Sequence, residues 1–278
     1  MRNHTTKPSK GTSTGWNCFV PIGIFIFLYA FGILLPLKFT PQYHNYMSRV
    51  WNWTEILISL LSIYYIIKAG IFQWRQAVTA LLPGAICLVS LFRDPRTADI
   101  IVTSICVTLS FYAACRLYEL ADAENPSTHT GLADSIRYFA LGSVISVPLA
   151  LLNVFYFSLS RPIHFENILC SAVFALKPAL AEEVIFRFFL LAYARYLLHG
   201  KVEKQFSRIY IYALLVVPHT LLHYPDLFVK APGQAIVMCV LDSVLFGLPM
   251  ALLMEKKNLQ MAAGMHWFID FVRFAGGF

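Results

Sequence analysis

An all-α fold, a polytopic transmembrane helical bundle of about eight or nine spans, is what the sequence predicts from three observations. Hydrophobic residues fill 58% of the 278 positions and charged residues 13%. With a mean hydropathy of +0.62, the chain has more apolar surface than a soluble core can hide. Its apolar runs are long enough to cross a bilayer as helices, and they lack the short period-2 alternation of a membrane barrel.

Residues 1–16 are polar, with Arg2, Lys7 and Lys10, and read as a cytoplasmic tail. The first apolar run, about 18–37, is too long for a signal-peptide core and reads as a retained anchor. Further spans are expected at about 54–74, 77–92, 100–115, 138–159, 178–198, 209–224, 233–254 and 259–274; the pieces at 77–92 and 100–115 are short. On this reading 17–120 hold the N-terminal transmembrane helices, 121–136 form a polar linker, and 137–278 form a second transmembrane core. No internal repeat is visible. Pro178 suits the first turn of its helix, which would put Glu182 and Glu183 about one turn below the membrane surface.

The formal charge of +7 comes from basic residues spread along loops, with no dense patch or interleaved aromatics, so no nucleic-acid partner is expected. Lys and Arg concentrate in alternate loops, and the positive-inside rule then places the N-terminus in the cytoplasm and the polar groups of the last spans toward the outer face. The six cysteines show no CxxC spacing and read as small buried hydrophobes.

Intramembrane charge clusters in the second core. Each ionisable residue at the centre of a membrane helix costs about 2.5–3.5 kcal/mol on insertion scales, so a cluster needs partners and usually a purpose. Glu183 and Arg187 stand i, i+4 and can pair across one helix face, first of all as a structural ion pair. Glu182 points about 100° away and is left for another neighbour. An incompletely compensated carboxylate in a dry site suits a general base. His219 and His223 are again i, i+4, as are His266 and Asp270. Imidazoles can orient water or donate to a developing oxyanion, and an acid can fix an imidazole tautomer. Asp242, alone in its span, is divided between a helix–helix hydrogen bond and a supporting part in the site.

Glu182-Glu183-Val184-Ile185-Phe186-Arg187 resembles the EExxxR motif of the CPBP or Abi family, which includes the type II CAAX prenyl endopeptidases. His219-Thr220-Leu221-Leu222-His223 resembles its second motif, usually FxxxH. Phe246-Gly247 and then His266-Trp267-Phe268-Ile269-Asp270 resemble its Gly-containing penultimate helix followed by HxxxN or HxxxD. The resemblance covers about 137–278 and leaves the front four spans unexplained. It implies intramembrane proteolysis of a membrane-anchored protein or peptide in the lipid bilayer. Glu182 and His223 would activate water, His266 with Asp270 would stabilise the oxyanion, and Glu183 with Arg187 would hold the first helix. Two positions depart from the pattern. His219 replaces Phe, adding a third imidazole, and Asp270 replaces Asn, so it is either protonated or serves to orient His266.

No cofactor is favoured. Zinc on Glu182, His219, His223 and His266 is the competing chemistry, and a non-catalytic immunity or transport protein using the same polar pocket is the competing class. An outward-facing site fits a prokaryotic plasma-membrane enzyme that trims C-terminal sorting signals or exported peptides better than one acting on prenylated cytosolic tails.

Overall fold

The computed structural model describes residues 14–35, 45–92, 94–125, 131–198 and 205–278. Most of the polar tail 1–16 and part of the linker 121–136 fall outside these, as does Lys201. The described residues are helical, with no strand. In chain order they form α1 (Thr14–Leu34), α2 (Tyr46–Lys68), α3 (Trp74–Leu88) with a 3-10 turn (Val89–Phe92), α4 (Thr97–Leu120), α5 (Leu132–Ile145), α6 (Val147–Ser158) and α7 (Ile168–Glu182). A π-turn (Glu183–Phe189) joins α7 to α8 (Leu190–Leu197). There follow α9 (Gln205–Leu222), α10 (Pro225–Lys230), α11 (Pro232–Asp242), a second π-turn (Ser243–Gly247), α12 (Leu248–Lys256) and α13 (Leu259–Ala275).

Among the described residues four stretches are long and apolar enough to span a membrane: Tyr46–Lys68, Trp74–Phe92, Thr97–Leu120 and Pro232–Lys256. The α5–α6 pair makes a fifth if its 49° bend is one broken span. Pro148 in the first turn of α6 accounts for that break, since it has no N–H to continue the ladder. The expected eight or nine spans are therefore met by four or five. Four other expected spans fall short: α13 has 17 residues, the described apolar part of α1 is Val20–Leu34, the α7–α8 helix carries Lys177, Glu182, Glu183 and Arg187, and α9, 18 residues long, includes Gln205, Arg208 and His219.

The expected helix start at Pro178 is corrected. Asn167 caps α7 by accepting from the Cys170 N–H at 3.0 Å, and Pro178 lies inside the helix. Glu182 is the last of the 15 residues of α7, about 22 Å along the axis from its start at 1.5 Å per residue. The carboxylates thus sit midway along the α7–α8 helix, about four turns from its start rather than one.

One hydrophobic core runs through both halves of the chain, from Phe25 and Val50 to Met254 and Ala262. Its centre is α4, buried along most of its length, whose Phe111 meets Phe188 at 5.0 Å between ring centroids. From α2, Trp51 meets Phe186 edge-on at 5.4 Å. The front helices therefore pack directly on the π-turn that carries the EExxxR residues. They also hold the end of α9. Tyr29 donates to the Leu221 carbonyl at 3.0 Å, one of the last-turn acceptors a helix leaves open, and the Asp226 carboxylate accepts from the Tyr46 and Met47 N–H groups at the start of α2.

Helices α5 and α13 cross with almost no space between their backbones. A Cβ on Gly264 would lie 2.0 Å from the Phe139 carbonyl oxygen, and one on Gly142 would lie 2.0 Å from that of Met261. Only glycine allows this approach, the small-residue packing of membrane helices, and Ser143 Oγ adds a bond to the Gly264 carbonyl at 3.1 Å.

Candidate active site

Four chain segments bring their polar residues to one point. Glu182 ends α7 while Glu183 and Arg187 occupy the π-turn, a wider turn that recurs at functional sites. His219 lies in the last turn of α9, and His223 follows just beyond, its N–H bonded to the Thr220 carbonyl at 3.2 Å. His266 and Asp270 lie in α13, placed by the glycine crossing with α5.

Glu182 Oε2 is the centre of the arrangement. Three imidazole Nε2 atoms surround it, with His219 at 2.5 Å, His266 at 3.5 Å and His223 at 3.6 Å. Behind it Glu183 Oε1 accepts from Arg187 Nη1 at 2.8 Å and meets His266 Nδ1 at the same distance. Arg187 also reaches His219 Nδ1 with Nη2 at 3.0 Å. Glu183 and Arg187 are fully buried, so their charges depend on each other and on these imidazoles.

Glu183 with Arg187 forms the ion pair expected from its spacing, and Glu183 is also the carboxylate nearest to His266. Asp270 Oδ2 stands farther from that ring, at 3.5 Å from Nε2, while Oδ1 pairs with Arg273 at 2.9 Å. Compensation by Arg273 answers the charge problem that an aspartate raises at this position. Arg273 was legible as the i+3 neighbour of Asp270. Asp242 lines the same cavity and forms no ion pair within 4 Å among the described residues.

That cavity measures about 1130 Å³. Glu182, the three histidines and Asp270 form its floor, and Glu55, Asp99, Thr103 and Lys177 form another wall. Glu55 is buried and accepts from Thr103 Oγ1 at 2.6 Å. These wall residues are missing from the motif-based reading, although an acid such as Glu55 inside an apolar run is itself a signal. At the mouth, burial pushes the Asp94 carboxyl up, but bonds from the Arg96 side chain and N–H outweigh it and hold the group below the usual carboxylate range.

Of the three imidazoles lining the cavity His223 is the most exposed, with 34% of its side chain exposed against 6% for His219 and 8% for His266. The ligand atoms of Glu182, His219 and His223 lie within 4.8 Å of one another, close enough to face one ion.

Two carboxylates, three imidazoles and a cavity among helices long and apolar enough to cross a membrane define the class: a membrane-type helical bundle with a buried polar site. Residues 164–272 match the family model Rce1-like, described as type II CAAX prenyl endopeptidase Rce1-like. The match agrees with the CPBP or Abi resemblance that the three motifs carry, and this region of the chain is similar to CAAX proteases. No curated protein and no solved structure matches the chain.

Proposed function

We propose that the protein is an intramembrane endopeptidase that cleaves a membrane-associated protein or peptide near its C-terminal region, with Glu182 as general base. The observation that carries this reading is the convergence of three imidazoles on Glu182 Oε2 at the floor of the cavity. A water between Glu182 and His223 gives a proton to Glu182 as its oxygen attacks the scissile carbonyl. The new C–O bond leaves the former carbonyl oxygen as an oxyanion. His266 donates to that oxyanion from Nε2 while Glu183 holds Nδ1, so the ring acts in its doubly protonated form, among the carboxylates of Glu182, Glu183 and Asp270. The proton then passes from Glu182 to the departing nitrogen as the C–N bond breaks. Donors aimed at developing charge in a water-poor site are worth far more than in solution.

The helices too short or too charged to span alone complete the bundle at membrane depth, packed among the apolar ones. The substrate class that the outward topology favours is a C-terminal sorting signal or an exported peptide. A zinc-dependent reading rests on the closeness of Glu182, His219 and His223. Stoichiometric zinc in purified protein, with activity lost to a chelator and restored by zinc, would support it.

The test compares membranes from cells producing wild-type protein or Glu182→Gln, mapping new peptide termini by mass spectrometry. Cleavage products should be present with the wild type and absent with the variant, at equal membrane levels of the two proteins. Identical termini in both samples would remove Glu182 from the chemistry.

A further inference from the structure

The tautomer of His219 is set from behind. A guanidinium has five N–H donors and no acceptor, and Arg187 Nη2 lies 3.0 Å from His219 Nδ1. That ring nitrogen must therefore accept, and it carries no proton. A doubly protonated ring would set N–H against N–H at this contact. The ring proton is then on Nε2, 2.5 Å from Glu182 Oε2, where an ionised carboxylate can only accept.

We propose that His219 is a positioning residue for Glu182, locked by Arg187 in the Nε2–H tautomer, so that one buried cation aims the general base through an imidazole. This rests on the reading of Glu182 as the base. Arg187 serves both carboxylates, Glu183 directly at 2.8 Å and Glu182 through His219. The relay fixes Glu182 Oε2 from one side, while His223, whose Nε2 lies 3.2 Å from His219 Nε2, is the most exposed of the three imidazoles and the one placed to meet water.

The same tautomer withdraws His219 from metal chemistry. A neutral imidazole has a single lone pair for bonding, and here it is on Nδ1, already engaged by Arg187. Nε2, the atom that faces Glu182 and His223, carries the proton. Of the four candidate ligands Glu182, His219, His223 and His266, only Glu182, His223 and His266 are then left to hold an ion, with His219 outside its shell.

Solid-state NMR of ¹⁵N-histidine-labelled protein in lipid tests the lock directly, with the His219 signals assigned by their loss in His219→Gln. The expected signature is a neutral ring protonated at Nε2, unchanged when zinc chloride alone is added. A ring protonated at Nδ1, an imidazolium, or a shift of the His219 signals with zinc would overturn the proposal. Activity gives a second readout. Glutamine offers a carbonyl to Arg187 and an N–H to Glu182, so His219→Gln should keep most of the wild-type kcat. His219→Phe should lose on the order of 10- to 100-fold in kcat, the size of a hydrogen bond to a charged group, with KM little changed. Equal kcat for the Phe and Gln variants would refute positioning. If Glu182→Gln retained cleavage while His219 showed the Nε2–H form, the general-base reading would fall and the tautomer lock would stand.

Discussion

Arg187 carries more of the site than its side-chain chemistry would suggest, because it never touches the reacting atoms. It is fully buried, pairs with Glu183 and bonds His219. Arg187→Ala should therefore destabilise the protein by about 3–5 kcal/mol, the cost of breaking a buried pair and leaving its partner charged. Glu182→Gln leaves that pair intact, and its amide still offers an oxygen to His219. Thermal unfolding in one detergent should place Arg187→Ala well below both Glu182→Gln and the wild type. Matching midpoints for the two variants would show that the pair has no structural role. Much at this scale is legible in the sequence, because i, i+4 spacing is a property of the helix itself and marks Glu183–Arg187, His219–His223 and His266–Asp270. The bond from Glu183 to His266 spans 83 positions and has no local signature. Its existence depends on where α13 lies against the π-turn.

The position of α13 is decided by glycine at the crossing with α5, two residues before His266. A methyl on Gly264 would meet the Phe139 carbonyl at 2.0 Å. Backbone cannot swing aside as a flexible side chain can, so overpacking of this kind typically costs about 1–3 kcal/mol. Gly264→Ala should lower the unfolding midpoint and reduce cleavage by displacing His266 from Glu182. Gly233→Ala, where an added Cβ meets nothing within 4 Å, should do neither, and equal behaviour of the two variants would show that the crossing is not tight. The existence and order of the helices follow from hydropathy, while their boundaries do not. Asn167 starts α7 and Asn45 starts α2 through side-chain caps, each ahead of the expected start of its span. Capping residues close to an apolar run carry the information, and a proline such as Pro178 inside a helix is a misleading start signal.

At the scale of the whole molecule the cavity has a defined end. Asn45 at the start of α2, Asp94 before α4, Phe157 near the end of α6, Glu166 before α7, Tyr224 after α9 and Phe274 near the end of α13 all line it. Helix direction then assigns the basic residues. Lys68, Arg75, Arg116, Arg195, Lys256 and Lys257 belong to the opposite end, at the far ends of α2, α4, α8 and α12 and the near end of α3. Fewer, among them Arg49, Arg96 and Arg161, belong to the mouth. Excess Lys and Arg mark the cytoplasmic side, so the mouth should face outward even though the count of spans and the start of the helix that carries Glu182 differ from the sequence expectation. In an otherwise cysteine-free protein, Glu166→Cys, exposed at the mouth, should react with a membrane-impermeant maleimide added to intact cells. Lys256→Cys, also exposed, should react only after the membrane is opened. The reverse pattern would turn the cavity toward the cytoplasm, and with it the substrate class from exported or sorting-signal peptides to tails presented from the cytosol.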